Sequence, residues 1–438
     1  MKNKTFIICL IFWILITLFR VIFHQPWHDE ALAWLYAEKL SFLQLFQLSH
    51  TEGHFFVWFT MLMPFAKSSF LYPYLMLILN WVCCLVAIIV LWKKAPFNNF
   101  LKVAISFSFP FFAYYPVVAR CYSVGIFLLF ILTALFKEKI KYPIIYALLI
   151  ILCANTSSMA LLGAMFFAIT LIIDLVKHKQ NKDLISCSVL GLFCVGLICA
   201  QIFPVNMVNV PYEKTLGLGL NFFNRAFVFS SVVNLILLVL YCIGFIYALF
   251  KDKLVMSLIV FSYFSLLYVF EFWYAGDFWH YYFFYVYLII SCWIALENNA
   301  IKDFNKKMIS WLLITLSLLF VVENRYEPRV FNSKSKEVAN YMQSLENSRL
   351  IFFSPIFMMS TPYLDKDSDI YYYTYNAGTN GLSFANIKNS LAVGKENYGF
   401  FNHCEKISEF DNKNEKIVFE NYKNFDNRYC VYKVKLIK

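Results

Sequence analysis

The feature that most constrains this chain is a succession of long apolar runs joined by short links rich in lysine. A hydrocarbon core about 30 Å thick is crossed by about 20 consecutive apolar residues in a helix, and backbone inside lipid must satisfy its own hydrogen bonds. Runs of that kind lie near 5–23, 70–92, 101–117, 121–137, 142–156, 158–176, 184–204, 227–250, 254–272, 280–297 and 308–323. They are far longer than the alternating segments of a membrane β-barrel, so the chain reads as an α-helical polytopic membrane protein with about 11 transmembrane helices. Composition agrees. At 61% hydrophobic and 15% charged over 438 residues, the apolar surface exceeds what a water-soluble enzyme can bury. The first run is too long for the core of a cleavable signal and has no small-residue cleavage site after it, so it reads as the first span.

A net charge of +11 suggests nucleic acid until it is mapped. No basic stripe with interleaved aromatics exists, so no nucleic-acid partner is expected. The run Phe55–Ala66 is short and contains Pro64. If the N-terminus is cytoplasmic and this run does not cross, sixteen basic residues, among them Lys93, Lys94, Lys137, Lys141, Lys177 and Lys182, fall on the cytoplasmic side. Five, Lys39, Lys67, Arg120, Lys214 and Arg225, then fall outside, as positive-inside orientation requires. Letting 55–66 cross would reverse most of the lysine. The segment 24–69 is therefore a first outer loop with surface helices. Its stretch 28–40 reads as an amphipathic helix in the interface plane, with Leu32, Leu35, Tyr36 and Leu43 apolar and Glu30 and Glu38 polar.

The chain divides into a transmembrane domain, 1–323, and a tail, 324–438, on the outer face of the cytoplasmic membrane. The tail turns abruptly to mixed charge, Asn, Ser and Tyr and reads as a small α/β soluble domain. A helix is expected at Lys334–Leu345, with strands at Arg349–Ser354, Asp369–Tyr375, Lys416–Glu420 and Arg428–Ile437. Most of the 12 cysteines lie in apolar runs; Cys404 and Cys430 are the pair available for a disulfide in an oxidising compartment.

The outer side gathers reactive groups. Five of the six histidines of the transmembrane domain, His24, His28, His50, His54 and His280, map there. Asp29 and Glu30 open the loop helix. Structurally they are an N-cap and a dipole-complementing acid; chemically they offer a carboxylate held at the membrane surface as a general base. Glu52-Gly53-His54 forms a turn before the 55–66 helix. His24 and His28 are four apart and His50, Glu52 and His54 alternate. A divalent metal stays open, although neither spacing is a specific motif. Arg120 stands outside against the charge trend, either snorkelling to the interface or pairing with phosphate through its planar fork. His280 heads the tenth span.

At these residues the sequence resembles the GT-C class of membrane glycosyltransferases, and more narrowly the bacterial branch related to protein O-mannosyltransferases and lipid A aminoarabinose transferases. The branch's loop motif is matched by Asp29-Glu30-Ala31, its E-G-H-P turn by Glu52-Gly53-His54 with Phe55 in place of Pro, and its A-R-x-Y by Ala119-Arg120-Cys121-Tyr122. Ala154-Asn155-Thr156 matches an A-N-T, and Gly276-Asp277-Phe278-Trp279-His280 a late G-x-x-R-H in which Trp279 replaces Arg. The resemblance covers roughly residues 1–325 and leaves the tail unassigned.

What it implies is a polyprenyl-phosphate-linked sugar as donor and a lipid, polysaccharide or protein of the envelope as acceptor, with inverting attack at the outer face. Asp29 would be the base. Arg120, Tyr122 and His280 would bind the donor and its phosphate, and Glu30, Glu52 and His54 would shape the acceptor pocket. Some members of the class use a divalent metal and others do not. The competing readings are a transporter or flippase of lipid-linked glycans and a non-catalytic assembly protein of envelope glycan synthesis.

Overall fold

The computed structural model describes residues 2–52, 54–68, 71–202, 261, 265–266, 268–269, 278–297, 306–307, 310–311, 313–315, 317, 335–345, 347–352, 361–364, 368–372, 388–392, 395–402, 410–412, 415–425 and 429–437. The expected spans at 227–250 and, for the most part, 254–272 and 308–323 lie outside them. The chain forms two compact units: Met1–Phe23, Lys39–Ser68 and Tyr74–Pro328 make the first, and His24–Glu38, Ser69–Pro73 and Arg329–Lys438 the second.

The first unit is helical. Its elements are α1 (Lys2–Phe23), α3 (Phe42–Glu52), α4 (Phe56–Lys67), α5 (Tyr74–Lys94), α6 (Asn99–Ser106), α7 (Cys121–Ala134), α8 (Pro143–Ala154), α9 (Ser158–Lys177), α10 (Asn181–Ile202) and α11 (Phe278–Glu297); α2 (His28–Lys39) belongs to the second unit. Among the described residues, five helices are long and apolar enough to cross a membrane: Lys4–Phe23, Tyr74–Lys94, Ser158–Lys177, Asn181–Ile202 and Trp279–Glu297. This is the pattern of a membrane-associated, mostly helical protein. Shorter apolar helices, α4, α7 and α8, accompany them. The outward apolar side chains of α1, such as Ile8 and Phe19, are more than 60% exposed, a surface suited to lipid rather than water.

One expected span is not a single helix. The stretch 101–117 breaks after Ser106 and continues as a π-helical turn, Pro110–Tyr114, closed by the Tyr115 amide donating to the Pro110 carbonyl at 2.9 Å. Pro110 is the cause. A continuous helix would have its amide bond the Ser106 carbonyl, and proline has none. The Trp13 indole N–H of α1 takes over, donating to the carbonyls of Ser106 and Phe111, each at 3.1 Å. The Tyr115 carbonyl, also outside regular helix, accepts from Asn80 Nδ2 at 2.7 Å and Ser123 Oγ at 2.9 Å. Irregular backbone among apolar helices persists where neighbours supply such bonds.

Helices α7, α9 and α11 pack through small residues. The Tyr287 hydroxyl of α11 inserts into the hydrogen-bond ladder of α9, accepting from the Gly163 amide at 2.8 Å and donating to the Met159 carbonyl. A Cβ at residue 163 would meet Leu129 Cδ2 and Tyr287 Cε1 at 2.7 Å each, so only glycine lets the ring approach.

The second unit corrects the reading of the first outer loop. Helix α2 is not amphipathic. Glu30, expected on a polar face, is fully buried together with Ala31, Ala33, Trp34, Leu35 and Ala37, whereas Leu43, expected to be apolar-facing, is 64% exposed in α3. Burial of Glu30 is possible because its carboxylate is partnered, as the site geometry below shows. Trp34 packs on Tyr72 at 5.1 Å between ring centroids, and Tyr72 on Tyr363 at 4.9 Å. Burial, with Tyr363 and Glu30 nearby, pushes the Tyr72 hydroxyl well above the usual tyrosine range.

The described part of the tail is an α/β body, grouped with 24–38 and 69–73 in one unit. Its helix, α12 (Ser335–Gln343), accompanies strands β1 (Ser348–Phe352), β2 (Ile370–Tyr372), β3 (Glu396–Asn402), β4 (Phe410–Asn412), β5 (Glu415–Phe425) and β6 (Tyr429–Ile437). The sheet order is β2-β1-β3-β6-β5-β4. The β2-β1-β3 pairs are parallel and the others antiparallel. Val338 and Met342 of α12 pack on Leu350, Phe352, Tyr398, Phe400 and Val431. Cys430 is disulfide-bonded and the nine other described cysteines are thiols; Cys404 lies outside the described residues.

Asp369 beside β2 accepts from Lys395 at 2.9 Å and Arg349 Nε at 3.1 Å. The Lys395 hydrogen bond leads in holding its carboxyl below the ordinary value, and partial desolvation opposes it. A depressed folded-state value gives stability that is present above the unfolded pKa and lost as pH falls through the folded one. Limited proteolysis of the full chain is therefore expected to find the tail more readily cleaved below about pH 4, with part of that acid sensitivity absent in Asp369→Asn.

Candidate functional site

In the first unit, four of the residues singled out from sequence meet at the head of α7. Arg120, extended at φ −134° and ψ 165°, is the residue before the helix, at the end where the helix dipole is positive. Arg120 Nη2 donates to His54 Nε2 at 2.6 Å. Since arginine only donates, His54 Nε2 is the acceptor and the imidazole is neutral, with its proton on Nδ1, 3.5 Å from the Cys121 sulfur. The guanidinium carbon lies 5.5 Å from the centre of the Tyr122 ring, within cation–π range. His54 meets the same ring edge-on at 5.6 Å. Tyr122 Oη is 2.6 Å from His280 Nε2 at the start of α11. Arg120, Tyr122 and His280 are each less than 10% exposed.

The supports of this cluster come from far along the chain. Tyr115 Oη donates to the Trp279 carbonyl at 2.9 Å, and Tyr114 stacks on Trp279 with an interplanar angle of 3°, which fixes the turn bearing His280. His54 forms an antiparallel bridge with Ser157, and the Val57 amide donates to the Asn155 carbonyl at 3.3 Å. Gln201, at the end of α10, accepts from the Phe56 amide at 3.0 Å and donates to Asn155 Oδ1 at 2.7 Å. Sequence reasoning noticed Asn155 only within its motif and missed Gln201 altogether. The available signal was a lone amide closing an otherwise apolar run.

Asp29 and Glu30 belong to the second unit. Glu30 Oε2 accepts from His24 Nε2 at 2.8 Å and from the Trp27 amide at 3.0 Å, with both side chains of the His24–Glu30 pair at 0% exposure. Trp27 precedes α2, so Glu30 supplies the side-chain half of a capping box. The capping role first given to Asp29 thus falls to Glu30. Asp29 instead stays 33% exposed, its Oδ1 3.1 Å from His28 Nδ1. Of the two acids, Asp29 is the partly exposed one, and Glu30 is buried and hydrogen-bonded at the start of α2. Glu52 ends α3; its side chain and Gly53 lie outside what the structure describes. Among the described residues, no three His, Cys, Asp or Glu side chains gather as a metal site.

The fold and this cluster define a helical membrane-associated protein with a buried arginine–histidine–tyrosine constellation, and a second unit with a carboxylate one-third exposed. No protein-family model matches the chain, and neither the curated proteins nor the solved structures give a significant match.

Proposed function

We propose that this chain is a membrane glycosyltransferase of the GT-C kind. It moves a sugar from a polyprenyl-phosphate donor to an envelope acceptor at the outer face, with inversion at the anomeric carbon. The observation that carries the reading is the meeting of His54, Arg120, Tyr122 and His280, drawn from three separate motifs of the resemblance, around one guanidinium at a helix N-terminus. Such a place favours an oxyanion, since positive field and fixed donors stabilise charge that develops on a departing phosphate. Asp29 takes the proton of the acceptor's hydroxyl or amine, the acceptor attacks the sugar carbon, and the bond to phosphate breaks with its electron pair on oxygen. Tyr122 and His280 orient the donor, and Glu30 stabilises the loop helix that carries Asp29.

The disulfide of Cys430 supports an oxidising compartment for the tail. The transporter reading draws on the interrupted segment after Ser106, because transport proteins use broken helices. Here, however, the Ser106, Phe111 and Tyr115 carbonyls at the break are engaged by Trp13, Asn80 and Ser123, which favours a structural interruption over a substrate path.

Mass spectrometry of envelope glycans from cells with and without the gene tests the proposal: one sugar should be missing from one acceptor class, and identical profiles would refute it. For orientation, alkaline phosphatase fused after residues 50, 95 and 438 should be active, inactive and active. Any other order overturns the outer-face assignment.

A further inference from the structure

We infer that anion binding at Arg120 is coupled to proton uptake by His54, so that the site captures a phosphodiester as a cation pair rather than through arginine alone. The inference rests on the reading of this cluster as the donor-phosphate site. Its ground is the 2.6 Å bond from Arg120 Nη2 to His54 Nε2. That bond exists only while the imidazole is neutral, because a protonated Nε2 would set two donors and two positive charges against each other. His54 therefore occupies, with a lone pair, a direction of the guanidinium that a phosphate oxygen would take. A phosphate that accepts from Arg120 displaces that lone pair and brings a negative charge beside the ring. Both changes favour the protonated imidazole, which then donates to a second phosphate oxygen.

The described surroundings of the ring come from three elements. On α7 the neighbours of His54 are Arg120, the Cys121 thiol at 3.5 Å and the Tyr122 ring, and from α11 His280 reaches the group through Tyr122 Oη. From the start of α9 comes the backbone bridge to Ser157. That bridge, with the Phe56 and Val57 amides bonded to Gln201 and Asn155, anchors the main chain while the ring changes partner.

The test is isothermal titration of the full-length protein in detergent with undecaprenyl methyl phosphate, a diester whose own charge is fixed at −1 across neutral pH. Titrations in buffers of low and high ionisation enthalpy read proton uptake directly. The expected result is an uptake approaching one proton per site at neutral pH, with affinity rising up to tenfold for each unit of acidification across the histidine range. His54→Asn, checked for folding by its thermal transition, should bind with no uptake and a flat pH dependence. Tight binding by the wild type without proton uptake, or uptake that persists in His54→Asn, overturns the coupling and leaves the donor-site reading standing. Failure of the diester to bind the wild type at any pH overturns the donor-site reading itself.

Discussion

Asp29→Asn is expected to abolish sugar transfer while leaving the protein at normal levels in the membrane. The substitution keeps the shape and the hydrogen-bonding reach of the side chain but removes its ability to take a proton. Loss of a positioned general base costs about 10²–10⁴-fold in rate, so turnover should fall to the limit of detection in an assay that follows release of undecaprenyl phosphate from synthetic undecaprenyl-phosphate hexoses. Folding should be spared. Asp29 is 33% exposed, and the cap of α2 is supplied by Glu30, not by Asp29. The contrasting variant, Glu30→Gln, should reduce stability through the buried His24–Glu30 hydrogen bond and the Trp27 amide bond, since weakening a buried hydrogen bond to a charged group costs about 1.5–3 kcal/mol. Near-normal transfer by Asp29→Asn would remove that residue from the mechanism.

Arg120→Ala is expected to lower kcat/KM by about 10²–10³-fold, the usual loss when one preorganised donor to a developing oxyanion is removed. Lysine should restore only part of it, because an ammonium lacks the flat fork that serves a phosphate with two parallel bonds. The loss should appear with the complete donor and with undecaprenyl phosphate as a product inhibitor, since both carry the phosphate. If Arg120→Ala weakens neither, the guanidinium serves packing against the Tyr122 ring and the site lies elsewhere.

Much of this architecture could be read from residue pattern alone. The apolar runs that became α1, α5, α9, α10 and α11 are long and uninterrupted, and hydropathy sees length well. It sees a break poorly. The residues of 101–117 are apolar enough for a crossing, yet Pro110 leaves the Ser106 carbonyl without its helical donor, and the indole of Trp13, 93 positions away, serves it. Glu30 misled in the opposite direction. An acid in a loop helix reads as solvent-facing, and its partners His24 and Trp27 become visible only once the chain turns back on itself. In the tail, β3 was missed because Gly399 interrupts its alternation, and β4 because three residues carry no period.

The candidate site followed the same division. Arg120, Tyr122, His54 and His280 were each selected from sequence, but their convergence depends on contacts spanning 66 and 158 positions. No local pattern encodes those. Gln201 escaped because its importance lies in whom it joins, a property of tertiary structure.

The grouping of α2 with residues 329–438 has a consequence for the order in which the molecule is made. The segment bearing Asp29 leaves the ribosome early, while Tyr363, stacked against the Tyr72 that supports Trp34, is translated some three hundred residues later. A nascent chain thus carries α2 on an unfinished scaffold until the residues that complete its compact unit, 329–438, have been made.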